Sequence, residues 1–346
     1  MTSLPELIES EEQLDDLLTE PTPEAARALA ESDGDLLILG VAGKMGPTLA
    51  RLARRAIEGA GPRKRVIGVA RFSEPAVERQ LQAAGVETIR ADLLAEGALA
   101  SLPDAANVVF MAGRKFGSSG AESLTWAMNA YLPGEVARRY RGSRIVVFST
   151  GNVYPLMPVG SGGATEDQPV DPVGEYAQSC LGRERVFEHF SLSHGTPVTI
   201  VRLNYAIDLR YGVLLDVATR VWSGQPVDVT MGHANVIWQG DANLAVLRSI
   251  GLAARPPRVL NLTGPETVSI RQLALRFADL FGRPEPTLTG VESPTALLSN
   301  AARAHALFGY PRVPLERMVR WVAHWVTREG RTLGKPTHFE ARDGRF

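Results

Sequence analysis

The stretch LLILGVAGKMGPTLARL, residues 36–52, joins two periodicities across a glycine loop. Its first four residues form a continuous apolar run, as expected of a strand buried on both faces. From Pro47 onward, apolar residues recur at helical spacing. Gly40, Gly43 and Gly46 lie between the two. Glycines in such a loop let the backbone turn tightly and approach a pyrophosphate with no Cβ in the way. They also let it aim helix N-terminal N–H groups at negative charge. The stretch predicts a dinucleotide-binding loop that opens a βαβ unit.

The same alternation extends outward. RVIGVA at 65–70, ETIRAD at 87–92, NVVFMAG at 107–113 and RIVVFST at 144–150 read as strands. Helix-like PAVERQLQAAG at 75–85 and a long helical stretch at 121–141 separate them. Apolar strands alternating with helices indicate a parallel sheet, so the fold class is α/β, a Rossmann-type doubly wound sheet. After about residue 204 the alternation weakens. Helical patterns at 212–225, 271–282 and 317–330 suggest a smaller, mostly helical C-terminal domain. The expected organisation is a helical N-terminal extension at 1–34 and a dinucleotide-binding domain at 35–203 and 235–262. The substrate domain then takes 204–234 and 263–330, followed by a tail at 331–346. In the extension, Thr22 before Pro23 is a helix start and Gly34 a stop. The tryptophan stripe of Trp321 and Trp325 reads as core packing.

Bulk properties narrow the function. The chain has 346 residues, 45% of them apolar and 22% charged, with a net charge of −1. That balance favours neither nucleic acid nor an anionic membrane surface. A single cysteine excludes an internal disulfide. The acidic start MTSLPELIESEEQLDDLL does not read as a signal peptide, and no run is long and apolar enough to span a bilayer. A cytoplasmic protein is expected. The six histidines show no metal-like spacing with acidic partners, so no metal site is expected.

The end of the second strand bears on cofactor choice. An NAD site usually places Asp or Glu there to accept from the ribose hydroxyls. Here Ala70 and Arg71 stand in that place, with Ser73 close behind. An arginine fork plus a hydroxyl suits a 2′-phosphate, which predicts NADP, with NAD possible if Arg71 faces solvent and backbone contacts hold the ribose. Asp92 is a candidate acceptor for the adenine amine or a helix cap.

With these pieces placed, residues 35 to 330 resemble the extended short-chain dehydrogenase/reductase superfamily, the NAD-dependent epimerase/dehydratase group. GVAGKMG looks like its G-x-x-G-x-x-G. VVFMAGRKFG resembles its fourth strand and the loop beside the nicotinamide ribose, which implies cofactor contacts at Ala112 and Gly113 to add to Met45 of the glycine loop. WAMNAYL places Asn129 at the family's helix asparagine. VVFSTGNVYP puts Thr150 at the catalytic Ser/Thr position, and EYAQSCLGRE aligns with Y-x-x-x-K, matching Tyr176 but carrying Cys180 where the family has lysine. In the family mechanism the tyrosine moves a proton to or from a substrate oxygen while the nicotinamide moves a hydride. The Ser/Thr hydroxyl binds the same oxygen. The lysine grips the nicotinamide ribose and favours tyrosinate.

The missing lysine matters energetically. Free tyrosine has a pKa of about 10, so only about 0.1% is ionised at neutral pH, and bringing that pKa to neutrality takes about 4 kcal/mol. Cys180 supplies no charge when neutral and opposes tyrosinate when ionised. Packing as a small buried hydrophobe is its plainest reading. Three functional readings stay open. One is an oxidoreductase or epimerase with a substitute cation, Lys44 first and Lys115 second. Another is an enzyme in which Tyr176 is a neutral donor. The third is a degenerate nucleotide-binding sensor.

The resemblance implies a polyol, sugar, sugar acid or nucleotide sugar in the cleft between the domains. Asn152, Asn204, Arg210 and Trp238 are candidates there beside Lys115. Arg210 would pair with a carboxylate or phosphate. Trp238 would stack on a sugar ring or pack in the core. The resemblance also implies a homodimer. The C-terminal KPTHFEARDGRF is read as a clasp on the cleft or on another subunit.

Overall fold

The computed structural model describes residues 4–58, 64–115, 117 and 120–345. Met1–Ser3 of the extension, residues 59–63 after the first βα helix, Phe116 of the loop after the fourth strand and Phe346 of the tail therefore lie outside the described residues. Seven parallel strands form one sheet: β1 Leu36–Leu39, β2 Val66–Ala70, β3 Glu87–Arg90, β4 Asn107–Phe110, β5 Arg144–Thr150, β6 Val198–Leu203 and β7 Arg258–Leu262. Their order is β7-β6-β5-β4-β1-β2-β3. Leu36 of β1 pairs with Val66 of β2 on one side and with Asn107 of β4 on the other. Every residue of β1 is buried, as its uninterrupted apolar run requires. The winding reverses between β1 and β4, so the crevice at their C-terminal ends is where such a sheet binds ligands.

Two cores flank that crevice. Helix α1, Glu11–Leu18, sends Leu14 and Leu18 into the core of the second half, among Leu214, Val217, Phe277 and Trp321. Helix α2, Pro23–Glu31, sends Ala25 and Leu29 into the core under the sheet. The Thr22 side chain caps α2 by accepting from the Ala25 amide at 3.3 Å. The helix stops at Glu31, short of Gly34. Gly34 instead sits at φ 74° against Ala106, where the chain enters β1. The extension thus bridges both halves.

The helical patterns of the second half fold as α5 Val213–Trp222, α7 Ile270–Phe281 and α8 Leu315–Thr327. Before them α3, Gly46–Glu58, follows the glycine loop, and α4, Gly174–His194, carries the candidate tyrosine. Helix α6, Gln239–Arg248, packs its Leu244 and Val246 in the core under the sheet. Among the described residues, no helix is long and apolar enough to cross a membrane.

Candidate active site

The glycine loop is built for close approach. Gly40 has φ 93°, and a Cβ there would lie 2.6 Å from the Ala112 nitrogen at the end of β4. A Cβ on Gly46 would lie 2.1 Å from the Val41 carbonyl oxygen. Neither position tolerates a side chain. The loop closes through the Gly43 amide, which donates to Gly40 O at 3.1 Å, and it delivers the N-terminus of α3 to the crevice. This geometry fits the pyrophosphate of a dinucleotide.

Beyond the loop lies a cavity of about 270 Å³, lined by Met45, Gly113, Thr150, Asn152, Tyr176 and Asn204 among others. Thr150 ends β5 and Tyr176 opens α4, so the strand and the helix bring two residues 26 apart in sequence together. Their side chains are hydrogen-bonded. Thr150 Oγ1 also accepts from the Asn152 amide at 3.1 Å and from Asn152 Nδ2 at 2.9 Å. A hydroxyl has two acceptor sites and one proton, so with both sites filled the Thr150 O–H is free to donate towards Tyr176 or a substrate oxygen. Burial holds the Tyr176 hydroxyl well above the ordinary tyrosine range, and the nearby Cys180 adds to the rise. Arg183, followed by the Thr150 bond, opposes it. Tyr176 is therefore uncharged in the resting site.

Cys180 lies outside the cavity lining. It is buried in a small cluster with Val153, Tyr154 and Ala164, and burial pushes its thiol up, so it is uncharged. Lys44 extends from the glycine loop towards the second half of the chain. Its ammonium donates to Ala206 O at 2.5 Å and lies 4.0 Å from the centre of the Tyr211 ring. Lys115 Nζ lies 5.9 Å from the Tyr176 ring centre and 3.5 Å from Thr337 O, to which it donates. Burial depresses both lysines to about 8. Asp208 and Asp216 oppose the fall at Lys44, and Cys180, Asp216 and Glu340 oppose it at Lys115.

Asn204 lines the cavity and donates to Leu297 O at 3.3 Å. Two substrate candidates lie elsewhere. Trp238 is fully buried and packs edge-on against Trp321, with ring centres 5.3 Å apart, so it is core. Arg210 lies outside the cavity lining, paired with Asp15 of α1 at 2.9 Å and Asp208 at 3.4 Å. It ties the N-terminal extension to the second half. Arg71 and Ser73 are exposed at the end of β2, while Phe72 between them is buried at φ 49°. This kink buries the Phe72 ring and leaves the Arg71 and Ser73 side chains accessible at the strand end. Asp92 is exposed, and its Oδ1 accepts from the Leu94 amide at 3.1 Å, a local turn bond.

Sequence reasoning missed three residues of the lining. Arg183, two turns after Tyr176 on α4, lines the cavity with its side chain buried. The spacing 176, 180, 183 places all three on one helix face and was the available signal. Tyr205 and Tyr211 line the opposite wall, and Tyr205 holds φ 39°, a strained conformation for a non-glycine residue. The tail, read as a clasp on the cleft or on another subunit, lies on the cleft of its own chain. Thr337 lines the cavity and donates through its amide and hydroxyl to Asp216 Oδ2 at 2.8 and 2.5 Å. Phe339 is buried in the second core, and Arg342 donates to Thr295 O at 2.7 Å. The tail therefore folds over its own cleft, clamped on both sides of the cavity.

Residues 36–207 match the model of the NAD dependent epimerase/dehydratase family. No curated protein matches the chain. Among solved structures, a UDP-glucuronic acid 4-epimerase mutant from Bacillus cereus, solved with NAD and a fluorinated UDP-sugar, is 16% identical. It superposes with a TM-score of 0.71 over 85% of this chain and 99% of that one. The dTDP-glucose 4,6-dehydratase of Streptomyces venezuelae, with NAD bound, is 19% identical at a TM-score of 0.71, over 85% and 97% of the two chains. A UDP-glucose 4-epimerase from Thermotoga maritima, solved with UDP-glucose, is 18% identical at 0.69, over 85% and 99%. At these identities the likeness establishes the shared fold.

Proposed function

This chain belongs to the NAD dependent epimerase/dehydratase family, enzymes of the extended short-chain dehydrogenase/reductase type, and we propose that it interconverts a hydroxyl and a carbonyl on a small, anionic, carbohydrate-derived molecule. The observation that carries this reading is the Thr150–Tyr176 hydroxyl pair facing the cavity beyond the glycine loop. When bound, the nicotinamide supplies or accepts the hydride. The chain's own part is at the oxygen. Thr150 donates to it, and Tyr176 gives up its proton as a carbonyl becomes a hydroxyl, or takes one in the reverse direction. Cys180 at the lysine position favours a second reading, a nucleotide-dependent sensor. That reading predicts no turnover on any sugar or sugar acid and a partner whose binding depends on nucleotide.

Lys44 and Lys115 support the anionic substrate class. Two ammonium groups buried in the wall of one cavity attract a carboxylate or phosphate, and the folded tail over the cleft favours a small molecule. Each lysine is charged below about pH 8 and neutral above it. Affinity for a sugar acid should therefore hold up to about pH 8 and fall beyond it. Calorimetry across a pH series, with the matching neutral sugar as control, checks this. Equal and pH-independent binding of the two would contradict it.

The cofactor is NADP in this reading, with NAD accepted more weakly. Arg71 and Ser73 stand exposed where an acid would accept from ribose hydroxyls, and Arg90 donates to Arg71 O at 3.1 Å, so a second guanidinium adjoins the same strand end. A charge-assisted hydrogen bond contributes about 1.5–3 kcal/mol, so NADPH should bind roughly tenfold or more tightly than NADH. Arg71→Ala should erase the difference, and calorimetry reads it. The assembly we propose is a homodimer. Leu124, Trp126 and Tyr131, on the helical stretch beside α4, are exposed apolar side chains that a second copy would cover.

A further inference from the structure

We propose that Arg183 takes the place of the missing lysine, holding the nicotinamide ribose and placing the fixed positive charge beside Tyr176. The inference rests on the cavity being the nicotinamide site.

Side chains on a helix lean towards its N-terminus, so a long residue covers the surface about one turn before its own Cα. Arg183 therefore leans back towards the turn that carries Cys180. The guanidinium lies against the loop after β4. A Cβ on Gly113 would sit 2.6 Å from Arg183 Nη2, so the glycine leaves room for the guanidinium where it lies.

Three bonds aim the group. Nη1 donates to Phe148 O at 2.7 Å near the end of β5, Nη2 to Asn129 Oδ1 at 2.8 Å, and Nε to Asn129 O at 3.4 Å. Asn129 is itself fixed. Its Oδ1 also accepts from the Arg114 amide at 2.9 Å, and its Nδ2 donates to Arg114 O at 2.9 Å and Ser179 Oγ at 3.0 Å. The helix widens into a π-turn over Ala127–Tyr131, and Pro133, four residues on, has no N–H to offer the Asn129 carbonyl.

Arginine carries five N–H donors. Three are used among the described residues, leaving one on each terminal nitrogen. Among the described residues none of the three bonds goes to a carboxylate, although the side chain is only 5% exposed. The neighbouring Glu184 is taken by Arg202. A buried cation with no bonded anion is costly unless electron-rich partners arrive. Two ribose hydroxyls and an oxygen gaining negative charge on Tyr176 are such partners. Arg183 opposes the rise in the Tyr176 pKa more than any other group does. Cys180, the other titratable group acting on that tyrosine, is uncharged, and Lys115, 5.9 Å from the tyrosine ring centre, keeps its charge only below about pH 8.

The test separates the two halves of the dinucleotide. NADP+ carries the nicotinamide ribose, whereas adenosine 2′,5′-bisphosphate lacks it. With two hydrogen bonds lost, Arg183→Met should weaken NADP+ binding roughly tenfold or more and leave the bisphosphate unchanged, read by calorimetry. Adding Cys180→Lys to Arg183→Met should restore the lost affinity. The pH profile of alcohol oxidation should move to higher pH in Arg183→Met and return in the double variant. Arg183→Lys, which keeps the charge, serves as the second variant if Arg183→Met does not fold, and it should retain part of the affinity. If wild-type protein binds NADP+ and Arg183→Met binds it equally well, or loses both ligands equally, the assignment to Arg183 is wrong while the cofactor site stands. If wild-type protein binds neither ligand, the cofactor reading fails, and the Arg183 assignment fails with it.

Discussion

Tyr176→Phe is expected to lower turnover by roughly 10²–10⁴-fold, the usual contribution of a positioned proton donor or acceptor, while leaving NADP+ affinity unchanged. The substitution removes one oxygen and keeps the ring, so packing against α4 and Lys115 is retained. Thr150 keeps its two bonds from Asn152. The loss should appear in kcat as well as kcat/KM, because the lost interaction strengthens only as charge develops on the substrate oxygen. Thr150→Val should behave similarly but more mildly, since it removes a hydrogen bond to the reacting oxygen and not the proton itself. Steady-state kinetics with parallel calorimetry makes the comparison. Equal loss of cofactor affinity and turnover in Tyr176→Phe would mean that the tyrosine is a binding residue.

The second large effect concerns stability. Arg202 and Glu184 form an ion pair at 2.6 Å with side chains only 6% and 3% exposed. Glu184 Oε1 also accepts from Ser149 Oγ at 2.5 Å, and Arg202 Nη1 donates to Tyr154 OH at 2.7 Å. Tyr154 OH in turn donates to Asn261 Oδ1 at 2.8 Å, so the network joins α4 to β5, β6 and β7 directly behind Thr150. Glu184→Leu strands a buried guanidinium and should destabilise the fold by about 3–5 kcal/mol. Glu184→Leu combined with Arg202→Met removes both charges and should recover most of that loss, because the desolvation cost disappears along with the attraction. Urea unfolding of the single and double variants gives the difference. A single variant within about 1 kcal/mol of wild type would show that the pair contributes little.

Five of the seven strands were legible in the sequence, most of them because they are short, apolar on both faces and punctuated by glycine, whereas β6 and β7 were not read as strands. LLILG, RVIGVA and NVVFMAG have few alternatives, and helices alternating with them make the sheet parallel. Thr150 and Tyr176 were legible because each closes or opens a recognisable element. Trp238 was not, since an aromatic beside a cleft and one beneath it have the same letter, and only its packing on Trp321 separates them. Arg210 misled for a related reason. Its partner Asp15 lies 195 residues away, and no periodicity reports such a contact. Lys44 was read as a substitute cation beside the cofactor; it lines the cavity, but its ammonium goes to Ala206 O, a direction that depends on the second half of the chain. Arg183 was hidden in a run of charges, ordinarily a solvated face, and only the tertiary contact with Gly113 shows that it points inward. The tail's fold over the cleft likewise depends on Asp216 and on the core that receives Phe339.

A crystal structure with NADP+ and a sugar acid soaked in bears on the whole account. The account predicts the pyrophosphate at the amides of residues 40–46, the nicotinamide in the cavity and the acid's reacting oxygen within hydrogen-bond reach of both Thr150 and Tyr176. A nicotinamide lying outside the cavity, or a substrate oxygen beyond reach of both hydroxyls, would contradict it.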